Sequence, residues 1–580
     1  MLTTFTAPAF AKTWYIEDGD ITISASETKG TNKVSQGAEP EVEDTGTIIT
    51  NREKDASSHT VTINAGNDKV EVTLDNVNIK ADSGSALISK GDVTLTLKGD
   101  NHLTGGNGGS SSYGGDGITS SGSLTISGGT VTATGGDSTS SVGSGGSGIY
   151  SVSGDVTISG GTVNANGGDG KNGSGGGSGI DSSGGVTVSG GTVTANGGDS
   201  KDGDGGSGGY GISSSGVAIS GGTVTANGGD GGSGSGSHGG NGIYSSSGVA
   251  ISGGAVTANG GDSKDGSGGN GIYSSGGVTI SSGSTVTANG GDGEDGSGGR
   301  GITSNGGVTV SGGTVNAKGG SGKNGNGGDG IRSFNPVAIS GGTVNANGGN
   351  SDYSNGGDGI RSLDHVAISG GTVKSNGGSG NLSGGNGIIS YDIDLSGSLE
   401  LTAKAGSPNG KALSRVGSEL DLNTIKDKLD PGAKVTATDA DGKVIDQVSS
   451  PRPVEPEGPV IPEESSSSSD SGSSTPSAPA SPLPGLTVTD KDGQRISYTS
   501  IRGNNVLSIR AGRFTASLHA SLSTLRQLRA EGIDTITFRT VLCSTTLSVD
   551  ELLAIGGEDT EVVLIHHIRS STLTVGGKAV

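Results

Sequence analysis

The sequence predicts an all-β protein whose centre, residues 81–410, is a right-handed parallel β-helix, a β-solenoid of coils roughly 30 residues long. Three observations predict it. A Gly-Ile pair recurs, with the isoleucine at Ile118, Ile149, Ile180, Ile212, Ile243, Ile272, Ile302, Ile331, Ile360 and Ile388, in steps of 28 to 32 residues. Each pair opens a segment close to G-I-x-S-x-G-x-V-T-I-S-G-G-T-V-T-A-N-G-G-D, followed by a glycine-rich stretch. Within each segment apolar residues alternate with polar ones, the period of a strand.

Alternation assigns the faces. In the coil that begins at Gly148, Val156 and Ile158 point inward and Thr157 outward; Val163 and Ala165 point inward, Thr162 and Asn164 outward. A third short strand surrounds each Gly-Ile pair. The inward positions form ladders: Ile126 to Ile368, Val131 to Val373, and Ala133 to Ala346 with Ser375 last. No strand is long enough to fold alone, so stacking must bury the core. Nine full units stacked at ~4.8 Å span ~43 Å. Leucine is scarce in these units and no 3.6-residue stripe occurs, which excludes leucine-rich and α-helical solenoids. The corners carry an Asn-Gly pair, at Asn166, Asn196, Asn227, Asn259, Asn289, Asn347 and Asn376. Both residues tolerate left-handed backbone, and stacked asparagines can bond along the axis.

Around the repeats the chain divides further. Residues 1–11 end in Ala9-Phe10-Ala11, a small-x-small pattern, and read as the remnant of a signal peptide shortened at its front. Residues 12–80 read as an N-terminal cap with entry coils, Trp14 covering the open end. Residues 411–448 read as a C-terminal cap, with a short helix over Leu420–Leu429 and a strand over Lys434–Thr438. Residues 449–484 are rich in proline and serine, the composition of a disordered linker. Residues 485–580 read as a small α+β domain, with strands at Val506–Ile509, Thr535–Phe538 and Glu561–Ile565 and helices at Leu522–Ala530 and Val549–Ile555.

Composition narrows the partners. A net charge of −22 repels phosphate backbones and argues against nucleic acid. The one cysteine, Cys543, forms no intramolecular disulfide. No run of ~20 apolar residues is present to span a membrane. A secreted monomer at the cell surface is expected.

The outward position after Gly-Ile departs from the Thr, Ser and Asn that fill the rest of the surface. Tyr150, Asp181, Tyr244, Tyr273, Arg332 and Arg361 stand there, with Tyr210 and Phe334 nearby in sequence. Aromatic faces stack on sugar rings, and Arg or Asp binds hydroxyls and uronate carboxylates. Tyrosine also favours strands for their own sake. The stretch after Asn-Gly-Gly is acidic: Asp199, Asp202, Asp204, Asp230, Asp262, Asp265, Asp292 and Asp295, with Asp169, Asp329 and Asp358 read in the same class. Hard oxygen ligands among glycines suit calcium, and a solvated acidic loop gives the same pattern. Catalysis is not expected, because strand-borne charge is sparse and Asp181 has no acidic partner in the adjacent coils. A threonine ladder of the ice-binding kind is interrupted by Asn164, Ala255, Asn316 and Lys374. The pair His566-His567 alternates across a strand and does not share an ion.

The segments V-T-L-D-N-V-N-I (Val72–Ile79) and L-T-L-K-G-D-N-H-L-T (Leu95–Thr104), with the repeated V-T-I-S-G-G-T-V-T-A-N-G-G, resemble the clostridial carbohydrate-binding β-helix family of secreted proteins. The resemblance covers residues 12–410. It implies a calcium-associated, non-catalytic module that binds a plant-type polysaccharide such as cellulose or pectin. The alternative is a surface adhesin or spacer that holds the C-terminal domain away from the cell.

Overall fold

In the computed structural model, residues 11–109, 113–201, 205–234 and 236–450 are described, as is most of 485–579. In that last stretch 491–492, 497, 504, 512–514, 541–543, 556–559, 567–570 and 577 are excepted. The segments expected as a signal remnant (to residue 10) and as the linker (from 451) lie outside the described residues. The described residues fall into two compact units, one before and one after residue 456.

The first unit is a parallel β-solenoid. Each coil has three strands, and each strand pairs in parallel with its counterpart one coil on. The Gly-Ile strands pair as Ile149–Ser151 with Ile180–Ser182; the V-T-I strands pair as Val156–Ile158 with Val186–Val188; the T-V-T-A-N strands pair as Thr162–Asn166 with Thr192–Asn196. The inward ladders are buried along their whole length, from Ile126, Val131 and Ala133 to Ile368, Val373 and Ala346. A further inward column is serine: Ser151, Ser245 and Ser304 donate to the carbonyls of Gly154, Gly248 and Gly307, so these three buried hydroxyls are satisfied.

Two turns shape the coil, and glycine acts differently in each. Between the second and third strands the chain reverses at Ser-Gly-Gly, and the second glycine takes the left-handed conformation at Gly161, Gly191, Gly222, Gly254, Gly313, Gly342 and Gly371. The Asn-Gly corners tolerate a left-handed residue but do not use one. There the backbone keeps negative φ, and glycine serves close approach. The glycine-rich stretch leaves the core as one arm and returns as another, and the two arms interleave. Gly177 N–H donates to Gly168, Gly198 to Gly177, Gly209 to Gly198 and Gly229 to Gly209, each at 2.8 or 2.9 Å. The same alternation runs from Gly84 to Gly406. A Cβ at Gly198 would overlap the Gly168 carbonyl oxygen, and one at Gly209 the Gly177 oxygen. A side chain at these points is sterically excluded.

The asparagine ladder bonds along the axis as its stacking requires. Asn196 donates to Asn166, Asn227 to Asn196, Asn259 to Asn227 and Asn289 to Asn259, each at 2.8 Å. Lys318 interrupts the ladder, and it resumes where Asn376 donates to Asn347.

At the N-terminal end Trp14 lies in the buried cluster that continues through the coils, its indole N–H on Asp44 at 2.7 Å. Asn32–Gln36 pairs antiparallel with Ile21–Ala25. At the other end the strand Lys434–Thr438 pairs with the last coil and with the antiparallel strand Val444–Ser449. The short helix that precedes both strands is a 3-10 helix over Leu422–Lys428, capped by the Asp421 carboxylate on Asn423 N–H.

The second unit has a core of its own, with Phe538, Leu522 and Val549 fully buried. An antiparallel sheet contains Leu486–Thr489, Ala516–Ser521, Glu561–His566 and Ser571–Val575. A four-stranded sheet joins Val506–Arg510 to Thr535–Arg539 in parallel. Helices run over Leu522–Ala530 and Val549–Leu553, each with a serine N-cap.

The interleaved arms yield a prediction. Gly198→Ala should cost ~2 kcal/mol or more, because the strain falls on two backbone segments at once. Gly160→Ala, whose Cβ meets nothing within 4 Å, should change stability by less than ~0.5 kcal/mol. Thermal melts of the two variants against the parent check this; equal effects would remove the packing role given to the arms.

Candidate functional site

The six outward residues singled out in the sequence stand in one column. Parallel register stacks Thr119, Tyr150, Asp181, Ser213, Tyr244, Tyr273, Thr303, Arg332 and Arg361 in succession. At one coil per ~4.8 Å, Tyr150 and Arg361 are ~34 Å apart.

Beside this column runs the column of residues that precede Gly-Ile, which contributes Asp116, Tyr210, Asn270, Arg300, Asp329 and Asp358. Sequence reading had grouped Asp329 and Asp358 with the acidic loop. Counting from the Gly-Ile pair rather than from Asn-Gly-Gly would have placed them here. Together with the returning glycine arm these positions line a groove along the axis. One stretch, of 390 Å³, is bounded by Tyr210, His238, Asn241, Asn270 and Arg300. The next, of 280 Å³, is bounded by Arg300, Asp329, Arg332, Asn355, Asp358 and Arg361. The two stretches share Ser297, Gly298 and Arg300.

The column changes character along its length. At its N-terminal end, burial lifts the carboxyls of Asp116 and Asp181 above the usual range. Thr119 and the Ser147 N–H bond Asp116 and partly offset that rise, while the Asp181 charge adds to it. Sequence reading had given Asp181 no acidic partner in adjacent coils; Asp116, on the neighbouring column, supplies electrostatic coupling from farther along.

The middle is aromatic. Tyr210 stacks on Tyr244 with ring centroids 5.2 Å apart, and Tyr244 on Tyr273 at 5.4 Å with the planes 3° from parallel. Both faces of Tyr244 are therefore covered by its neighbours. Burial raises the Tyr210 phenol, and the neighbouring Tyr244 adds to the rise. Asn305 donates to the Tyr273 hydroxyl at 3.3 Å.

The C-terminal end is cationic. Arg300 lies 3.5 Å and Arg332 3.6 Å from Asp329, and Arg361 bonds Asp358 at 3.2 Å. The two carboxylates are buried beneath the guanidiniums, with 8% and 6% of their side chains exposed. Burial, and then the Asp329 charge, pushes the Asp358 carboxyl up. Burial pulls Arg332 down, and Arg300 adds repulsion. Among the described residues, the buried Nε of Arg300, Arg332 and Arg361 makes no hydrogen bond.

The acids of the loop form a ladder along the axis. Asp169, Asp199, Asp230, Asp262 and Asp292 stand one per coil. Each carboxylate from Asp169 to Asp262 accepts the backbone N–H of the next aspartate at 2.7–3.0 Å. Asp292 accepts from Ser321 N–H. Asp265 accepts from Gly234 N–H and Asp295 from the Asn324 amide. Asp202 and Asp204 lie outside the described residues. Among the described residues no group of three or more His, Cys, Asp or Glu side chains is placed to hold a metal ion. His566 is buried against Thr540 and Thr545, and His567 lies outside the described residues.

A family model described as a beta helix repeat matches residues 124–148, 156–178, 217–241 and 337–360. Each match covers the second and third strands of a coil and the glycine arms that follow, and two of them, 217–241 and 337–360, contribute residues to the groove. No curated protein and no solved structure matches the chain significantly. The beta helix fold fits carbohydrate-binding and adhesin-like proteins alike. No described helix is long and apolar enough to cross a membrane.

The buried acid at the N-terminal end sets a pH dependence. A carboxyl held above 3.8 in the folded chain binds its proton more tightly than in the unfolded chain. Its contribution to stability therefore falls as pH rises from 3.8 through the folded value. Asp116→Asn keeps an acceptor for Ser147 N–H and removes the buried charge. Melts at pH about 4 and about 7 should show a smaller loss toward neutrality in the variant. An unchanged difference between the two pH values would refute the assignment.

Proposed function

We propose that the protein is a secreted, non-catalytic polysaccharide-binding module whose ligand lies along the groove. The observation that carries this reading is the alignment of Tyr150, Asp181, Tyr244, Tyr273, Arg332 and Arg361 in one column beside a polar cleft. A linear polymer with repeating units matches a cleft built from repeating coils. Tyrosine hydroxyls, Asn241, Asn270 and Asn355 supply donors and acceptors for sugar hydroxyls. The acids at the arginine end, Asp329 and Asp358, sit under guanidiniums and balance their charge. That placement suits binding rather than proton transfer to a glycosidic oxygen. The resemblance of the entry coils to carbohydrate-binding β-helices supports the same class.

Calcium belongs to this proposal as a screening ion. The column from Asp169 to Asp292 places like charges one coil apart, and a divalent cation relieves their repulsion. Millimolar calcium should raise the melting temperature by a few degrees and a chelator should reverse it; an unchanged melt would end calcium's part in the reading.

The full chain incubated with insoluble cellulose, pectin and mucin, in calcium and in chelator, tests the function itself. Saturable retention on at least one polysaccharide is expected. Retention on none, in either buffer, would overturn the proposal and favour the adhesin or spacer reading.

A further inference from the structure

We propose that the Ala11–Lys12 bond is a processing site, cut as the chain is exported, and that the α-ammonium it frees pairs with the buried Asp44 carboxylate and completes the N-terminal cap. This goes beyond the polysaccharide reading and shares with it only the expectation of secretion.

The buried carboxylate is the first argument. Asp44 ends the strand Val42–Asp44 and is 1% exposed. Its Oδ1 accepts the backbone N–H of Lys12 at 3.0 Å and that of Gly46 at 3.2 Å, and its Oδ2 accepts the Trp14 indole N–H at 2.7 Å. All three donors are neutral. Among the described residues no Lys, Arg or His side chain pairs with this carboxylate. A carboxylate taken out of water without a cation costs stability. The Lys12 side chain is committed elsewhere, its Nζ 3.7 Å from the centre of the Trp14 ring. The atom placed to bring positive charge to Asp44 is the Lys12 main-chain nitrogen, and it carries that charge only as a chain terminus.

The second argument is the sequence at that same nitrogen. Ala9 and Ala11 stand three residues and one residue before the bond, the small-x-small pattern that signal peptidases cut. The pattern comes from residues 9–11 and the hydrogen bond from the fold, and both lead to one atom. Hydrolysis places the hydroxyl of water on the Ala11 carbonyl carbon and its proton on the Lys12 nitrogen. The acid so formed gives its own proton to that nitrogen at neutral pH, leaving a carboxylate and an ammonium. The Lys12 side of the bond is already fixed. Its carbonyl accepts Ile48 N–H at 3.4 Å, and Thr13–Tyr15 pairs in parallel with Ile48–Thr50. The freed ammonium therefore stands at the Asp44 oxygen as a charge-assisted donor. An uncut chain holds an amide in the same place, with one N–H and no charge. Trp14, part of the buried cluster at this end, is held by the same carboxylate, so processing tightens the cap on the core.

Mass spectrometry of the N-terminal peptide, on protein recovered from the medium of the cells that make it, tests the cut. A terminus at Lys12 is expected, and any other terminus overturns the site. Recovery only inside the cells, with Met1 attached, would overturn this inference together with the secretion it shares with the polysaccharide reading, and would leave glycan binding along the groove standing. The ion pair has its own test in the chain 12–580. At pH about 7, where α-amines react ahead of lysines, an acylating reagent should modify the Lys12 α-nitrogen about tenfold or more slowly in the folded than in the unfolded chain. Equal rates would overturn the pairing. Melts of 12–580 against the uncut chain 1–580 should show the processed form higher by about 3 °C or more. Asp44→Asn, which keeps an oxygen to accept N–H groups, should abolish that gap. A gap that persists in the variant, or no gap in the parent, would overturn the role given to the ammonium.

Discussion

The hydrogen-bonded alternation of glycines from the two arms of each loop is the constraint on which the rest of the solenoid depends. Every coil contributes one outgoing and one returning glycine, as at Gly168 and Gly177, and the backbones meet with no room for a Cβ. An ordinary loop would leave its amides to water and its ends mobile. Here the backbone groups of those glycines are consumed along the axis, and the excursion becomes part of the rigid body. That arrangement explains the glycine content more directly than flexibility does. It also explains how a chain with so little apolar residue folds, since the buried serine and glycine columns and the half-buried asparagine ladder supply hydrogen bonds that a larger core would replace.

The groove is a by-product of that zipped excursion. The returning arm stands beside the residues on either side of each Gly-Ile pair, and the cleft between them inherits one side chain per coil from each column. Character then follows from local substitution. Carboxylates hold one end, stacked phenols the middle and guanidiniums the other end, all on an identical backbone. Tyr244 shows what stacking does to such a column: adjacent aromatic rings satisfy each other, and their faces are lost to the solvent. Arginines in the same positions cannot satisfy each other, and they pair instead with buried carboxylates, Arg332 with Asp329 and Arg361 with Asp358.

The repeat, the inward ladders and the asparagine bonding were legible in the sequence because a strand period of two and a coil period near 30 leave one consistent assignment. Strands and helices of the second unit, such as Leu522–Ala530, followed from ordinary propensity and capping. What sequence alone did not reveal depended on register between segments far from the Gly-Ile anchor. Asp329 and Asp358 read as loop acids, although they follow the same offset as Tyr210 and Arg300. The acids of the loop itself are read from composition as candidate calcium ligands, and their stacking is not legible there. The register shows one carboxylate per coil, each already engaged with the next backbone amide. The turn that uses left-handed glycine was not legible, because Asn-Gly and Ser-Gly-Gly both tolerate that conformation and only the coil geometry separates them.

Uniform coil register has a consequence for how such a chain changes over time. Because each coil contacts only its two neighbours, and does so through matching positions, a duplicated or deleted unit of one whole coil leaves every hydrogen bond with an equivalent partner. The cleft would lengthen or shorten by ~4.8 Å at each event, and the order of its charged and aromatic zones would be preserved. The solenoid is in this sense a ruler cut in whole divisions, whose recognition surface can be re-sized by recombination between repeats without being redesigned.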